Sequence, residues 1–342
     1  MNTLVTLILV ISSQGYWLGG TTATVTIQWP IDAPPPPPAE LRWELRLGPT
    51  RVADGKADVP DARKTASVAL AVPEVRTATQ LHFIYRLIAR HDGTPLAGGD
   101  IAVHIWPKSV LGDFTQRYAG RKVVLIDPQN SLQPTLSAAG IKAERVVDAA
   151  NIALLKPDVL IIAPQALPAS SYAQPDLAAL ARSGVQVAVF AQTAPRALAG
   201  FTAESGDAAG DLTWRIDHPL LHNLDAEALN HWVQQNRPYV QLPAGTAALE
   251  IGWQKPAVES DLPSPMRALL LTQTLGTGRI VLCQLPANDP SADGRSRQLL
   301  DNVLNFLLAP PEPTPAPQQR RTTVPATAPR ERTIRLSPGD QP

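Results

Sequence analysis

The sequence predicts two folded domains, an all-β sandwich followed by an α/β layered domain, and then a proline-rich tail. Three observations carry this. Short alternating segments recur at roughly ten-residue spacing up to Pro107. From Gly120 onward the period changes, and apolar runs alternate with helical stretches. Beyond Ala309 the apolar content collapses into PPEPTPAPQQRRTTVPATAPRERTIRLSPGDQP.

At 342 residues the chain is long enough for each domain to bury its own core. Its 30 basic and 30 acidic residues balance, so no global field attracts nucleic acid or an anionic membrane. One cysteine excludes an intrachain disulfide and a cysteine-rich zinc site. The 35 prolines cluster at Pro34 to Pro38 and after Pro310, marking a loop and a tail.

The first residues, MNTLVTLILVISSQG, hold an apolar run from Leu4 to Ile11 that is too short to span a bilayer. Residues 1–20 read either as a first β-strand with its turn or as a signal peptide. A cleaved signal would place the protein in the periplasm or outside the cell; a retained strand would leave it cytoplasmic. Residues 15–20 are expected as a turn, followed by a strand over Thr22 to Trp29.

Within the sandwich, residues 20–107, Leu41 to Leu47 places Leu and Trp on one face and charges on the other. Strands over Ala66 to Val72, Leu81 to Ala89 and Ile101 to Trp106 follow. Turns are expected at Ala53-Asp54-Gly55, Pro60-Asp61, His91-Asp92-Gly93 and Gly98-Gly99. An immunoglobulin-like sandwich accommodates this rhythm. His82, His91 and His104 stand too far apart for a metal pattern and read as surface or cross-strand residues.

Residues 108–120 read as a linker and 121–309 as the α/β domain. Val123 to Ile126 behind a charged start resembles a parallel strand buried on both faces. Helices are expected over Leu132 to Ala139, Asn151 to Leu155, Pro175 to Arg182, Asp225 to Trp232 and Asp289 to Leu308. Strands are expected at Ala143 to Val147, Asp158 to Ile162, Val185 to Phe190 and Ala247 to Trp253, with a hairpin over 267–285. Residues 310–342 are expected to be disordered.

The sequence carries few motifs of known chemistry. The turn after the first parallel strand is Asp127-Pro128-Gln129-Asn130-Ser131, without the glycines that a dinucleotide pyrophosphate requires, and no Gly-Lys-Ser/Thr triplet exists for a P-loop. Ala191-Gln192-Thr193-Ala194-Pro195 is no nucleophile elbow. Cys283 lies inside a strand with no histidine after it and reads as a core residue. His218 and His222 are four apart, but Pro219 breaks the helix that would align them on a metal, so a loop capping a helix is the better reading. No catalytic residue, cofactor or metal ligand is assigned.

The strand ELRWELR at Glu40 to Arg46 and the closing HIWP at His104 to Pro107 resemble the immunoglobulin-like domain of family 2 type glycoside hydrolases. DHPLLHNLDAEALNHW, Asp217 to Trp232, and GRIVLCQLP, Gly278 to Pro286, resemble the class I glutamine amidotransferase-like (flavodoxin-like) domain that follows it in some of those enzymes. The amidotransferase Cys, His and Glu have no counterpart at the expected elbow, so none is carried over. The resemblance implies a non-catalytic carboxy-terminal region of a carbohydrate-active enzyme. The chain is then an independent accessory protein or the tail of a split or truncated hydrolase, with a glycan or a glycoside hydrolase as partner.

Aromatic faces suit sugar rings, which makes Trp214, Trp232 and Trp253 candidate contacts alongside His218. Open α/β sheets place ligands beyond the carboxyl ends of their strands, which adds Asp127, Gln165 and Gln192 and leaves a hydrolase at that position as an alternative. An envelope-anchored interaction protein is a third.

Overall fold

A computed structural model describes residues 8–11, 15–28, 38–59, 65–147, 149, 152–167, 174–192, 196–205, 211–214, 218–224, 229, 238–242, 251–254, 266–285, 290–291, 293–309 and 320–321. The chain is mostly strand, with few helices. It divides into two compact units, one of residues 1–110, 291–294 and 328–342, the other of 111–290 and 295–327. The prolines at 34–37, the Pro60-Asp61 turn, the expected helix over 225–232 save position 229, and the side chains of Trp214, Trp232 and Trp253 lie outside the described residues.

Among the described residues the first unit has eight strands: β1 Ile8–Ile11, β2 Tyr16–Leu18, β3 Thr22–Gln28, β4 Ala39–Leu47, β5 Thr50–Val59, β6 Thr65–Ala71, β7 Thr79–Ala89 and β8 Pro95–Trp106. They form a three-stranded sheet, β1-β3-β6, and a five-stranded one, β2-β8-β7-β4-β5. Alternation along β7 puts Leu81, Phe83, Tyr85, Leu87 and Ala89 inside and leaves His82, Arg86 and Arg90 exposed. Leu81, Phe83, Tyr85 and Leu87 share one core with Val25, Ile27, Val68 and Leu70 of the smaller sheet.

Three expected turns are corrected. Residues 53–55 and 98–99 lie inside β5 and β8, not between strands. The β4–β5 reversal falls instead at Gly48-Pro49, where Gly48 takes φ 55°, a conformation a side chain resists. Gly55 keeps its place in β5 because the Trp43 indole lies across it: a Cβ there would come within 2.6 Å of Cζ2. Residues 16–18, expected within a turn, form β2, whose Tyr16, Trp17 and Leu18 are all buried and pair in parallel with β8.

The second unit holds β9 Val123–Ile126, α1 Gln133–Ala138, β10 Ala143–Val146, α2 Ile152–Leu155, β11 Val159–Ile162, α3 Leu177–Arg182, β12 Gln186–Phe190, β13 Arg196–Leu198, β14 Phe201–Ser205, β15 Asp211–Trp214, β16 Pro238–Leu242, β17 Ile251–Gln254, β18 Met266–Leu275, β19 Gly278–Cys283, α4 Gly294–Leu308 and β20 Arg320–Arg321. One sheet runs β10-β9-β11-β12-β19-β18-β16-β14-β13. Its first five strands are parallel, and from β18 onward the pairing turns antiparallel. The hairpin expected over 267–285 is present as β18 and β19; β13 to β16 went unread in the sequence, because they are three to five residues long and carry weak alternation.

Every residue of β9, β11 and β19 is buried, as continuous apolar runs demand. The segment expected as a linker contributes Leu111, Phe114 and Tyr118 to this core, and α4 contributes Leu299, Leu300, Val303, Leu304 and Leu307. Helix α4 begins at Gly294, five residues later than expected. Arg279 of β19 lies over the Phe306 ring, 4.2 Å from its centroid, and donates to the Phe306 carbonyl. In the tail, Arg320–Arg321 pairs with β15, and the remainder of 310–342 lies outside the described residues.

Candidate functional site

The order of the parallel strands reverses at β9: the chain passes to β10 on one side and returns to β11 on the other. Open sheets bind ligands beyond the carboxyl ends at such a point. Asp127 follows β9, Gln165 follows β11 and Gln192 follows β12, so three of the expected residues do converge on these strand ends.

Asp127 is fully buried, and its two oxygens accept four hydrogen bonds. Oδ1 takes the Ser131 amide at 2.8 Å and hydroxyl at 3.0 Å; Oδ2 takes the amides of Leu132 at 2.8 Å and Gln133 at 3.0 Å. Burial pushes its pKa up, but the donors from Ser131, Leu132 and Gln133 together outweigh burial and hold the carboxyl below its ordinary value. The carboxylate therefore stays ionised and orders the turn into α1. Arg145 locks the same turn from β10, donating from Nε to the Asp127 carbonyl at 2.7 Å and from Nη2 to that of Pro128 at 3.0 Å.

Gln192 is a tie of the same kind. Its Nε2 donates to the carbonyls of Ala163 at 2.9 Å and Phe190 at 2.6 Å, its Oε1 accepts the Leu167 amide at 3.1 Å, and its own amide donates to Oε1 of Gln284 at 2.9 Å. Gln284 was missed in the sequence. The available signal was a glutamine just past an apolar run, repeated in VFAQ and VLCQ, at Gln192 and Gln284. Gln165, half-buried, sits at φ 56° and is held there by two bonds to the Ala191 carbonyl, from its amide at 2.9 Å and Nε2 at 3.0 Å.

His218 belongs to a different setting. It precedes a 3-10 turn at Pro219–Leu221, where its Nδ1 accepts the Leu220 amide at 3.3 Å and its ring packs on Phe306, 5.2 Å between centroids. Asn302 of α4 fixes this turn by donating to the carbonyls of Leu220 and His222. Trp214 and Trp253 stand on β15 and β17, which pair antiparallel. Among the described residues, no three His, Cys, Asp or Glu side chains group as metal ligands, and no helix is long and apolar enough to cross a membrane. Cys283 is buried, and desolvation pushes its thiol up to about 12 against a smaller opposing influence from the Leu285 amide.

No family model and no curated protein matches this sequence. A solved Niemann-Pick type C2 protein from the Japanese carpenter ant matches at TM-score 0.21 and 11% identity, covering 31% of this chain and 95% of its own. A putative β-galactosidase from Bacteroides fragilis matches at TM-score 0.18 and 11% identity, over 55% of this chain and 28% of the enzyme. A β-glucuronidase from Parabacteroides merdae matches at TM-score 0.18 and 9% identity, over 56% of this chain and 24% of the enzyme. At these scores the likenesses carry no argument for fold or activity.

Proposed function

We propose that the protein is a non-catalytic accessory module of carbohydrate-active proteins, binding a glycan or a glycoside hydrolase through an immunoglobulin-like sandwich joined to a flavodoxin-like, amidotransferase-like domain. The carbohydrate assignment rests on the resemblance of the segments at 40–46, 104–107, 217–232 and 278–286. The observation that carries the non-catalytic part is the use made of Asp127 and Gln192: their polar atoms at the strand ends are engaged with backbone, which supports an ordering role over proton transfer. Trp214, Trp232 and Trp253 are the contacts we assign to a sugar or protein partner. Affinity electrophoresis of the whole chain through a panel of polysaccharides, with pull-down of co-expressed hydrolases, tests this. Retardation or capture is expected; neither, across the panel, would overturn it.

One observation favours a second reading, a small-molecule hydrolase site at the strand ends. Nε2 of Gln284 is buried without a hydrogen-bond partner among the described residues, a donor able to hold a substrate oxygen. Turnover of any chromogenic ester or glycoside by the wild-type chain, lost in Gln165→Ala, would replace the first reading with this one.

A further inference from the structure

The outward face of the five-stranded sheet carries an arrangement that stability alone does not favour. The register of β5, β4 and β7 sets Lys56 opposite Arg42 and Arg42 opposite Arg86, so three cations stand in one row at a strand spacing of about 4.8 Å. Like charges placed directly across a sheet repel. Glu40 relieves two of them: it lies 2.6 Å from Arg42 Nε and 4.0 Å from Lys56 Nζ. Arg86 has no acidic partner among the described residues and is exposed, with its stem beside Gly98, the next position in the row.

The next row along the strands is of the opposite character. Glu44 stands across from Asp54 on one side and Ile84 on the other. Both rows line a single concavity of about 590 Å³. The unpaired Arg86, the Glu40-bound Arg42 and Lys56, and a half-exposed aliphatic floor thus meet on one surface with Glu44 and Asp54, which pair at 3.0 Å with Arg46 and at 3.8 Å with Arg51, in a chain whose total charge is zero.

We infer that this concavity binds an acidic polysaccharide, with the ligand's carboxylates on the Lys56–Arg42–Arg86 row and its hydroxyls donating to Glu44 and Asp54. The assignment rests on the glycan-binding reading above, names the glycan's class and adds a contact surface on the first unit to the residues assigned there. An arginine left without an acid offers a two-point contact to a ligand carboxylate. Carboxylates beside it accept from sugar hydroxyls, of which a phosphate backbone has few. Ile84 offers apolar surface to the ring carbons.

Affinity electrophoresis or calorimetry of the whole chain against polygalacturonate, the same polymer fully methyl-esterified, and a single-stranded oligonucleotide tests the inference. Polygalacturonate should bind, more weakly as salt rises from about 50 to about 300 mM. The esterified polymer should bind at least about tenfold more weakly, and Arg86→Gln should weaken polygalacturonate binding by about tenfold without changing the melting curve. Arg76→Gln, on an exposed arginine elsewhere in the same unit, should leave binding unchanged. Equal binding of acidic and esterified polymers, or no effect of Arg86→Gln, would overturn the inference while leaving the glycan-binding function standing. Failure to bind polygalacturonate would overturn it too, with the neutral polysaccharides of the wider panel then deciding the function separately. Tighter binding of the oligonucleotide than of polygalacturonate would overturn it in favour of a phosphate ligand.

Discussion

The amide of Gln192 donates to Oε1 of Gln284 at 2.9 Å, and this bond joins the ends of β12 and β19 just where their ladder stops. Both side chains are fully buried, so removing the acceptor strands a main-chain donor away from water. Gln284→Met is expected to lower stability by about 1–3 kcal/mol. Denaturant titration checks this, and a loss below the error of the fit would mean that the turn re-forms without the tie.

Asp127 gives the protein an acid-sensitive joint. Its folded pKa lies below its ordinary value, so its contribution is complete above the unfolded value of about 3.9 and is lost as pH falls through the folded one. Asp127→Asn keeps the shape but turns an amide towards two of the four donors. The variant should be less stable at neutral pH by roughly 2 kcal/mol. Its deficit should shrink as pH falls below about 4, where the wild type loses the same charge. Denaturant midpoints across that range read both slopes; a constant deficit would contradict the assignment.

Cys283 should behave as a small apolar residue. With its thiol pushed up to about 12 by burial, almost no thiolate exists at neutral pH. Alkylation should be slow in the native state and rapid in denaturant. Cys283→Ala should cost about 1–2 kcal/mol and leave ligand binding intact; fast labelling of the native chain would return the residue to the list of reactive groups.

Gly278 and Gly276 flank one turn and are glycines for different reasons. A Cβ at Gly278 would lie 2.2 Å from the Ala181 carbonyl oxygen and 2.5 Å from that of Val185. At Gly276 the constraint is φ 62°, with a Cβ 3.0 Å from the Arg182 carbonyl oxygen. Gly278→Ala should therefore cost about 3 kcal/mol and Gly276→Ala about 1 kcal/mol. Thermal melts of the two variants give the order, and the reverse order would refute the packing argument.

The sequence by itself determined the elements whose patterns are strong and local. The apolar runs of β9, β11, β12 and β19 admit burial on both faces and little else, and the helical spacing of Leu299, Leu300, Val303, Leu304 and Leu307 set the inner face of α4. Tertiary structure decided what local pattern underdetermines. Ala53-Asp54-Gly55 has the composition of a turn, yet it is strand, because pairing with β4 and the space needed by the Trp43 indole outweigh local preference. Tyr16-Trp17-Leu18 lies between Gly15 and Gly19-Gly20, and a parallel partner 88 residues away makes it a strand. The roles of Asp127 and Gln192 were decided the same way. Their positions past the strands were legible, but whether a polar side chain faces a ligand or its own backbone depends on which amides the fold brings within reach. The cationic row on the outer sheet face is likewise a matter of register: Arg42, Lys56 and Arg86 are scattered in sequence and become neighbours only when β5, β4 and β7 pair.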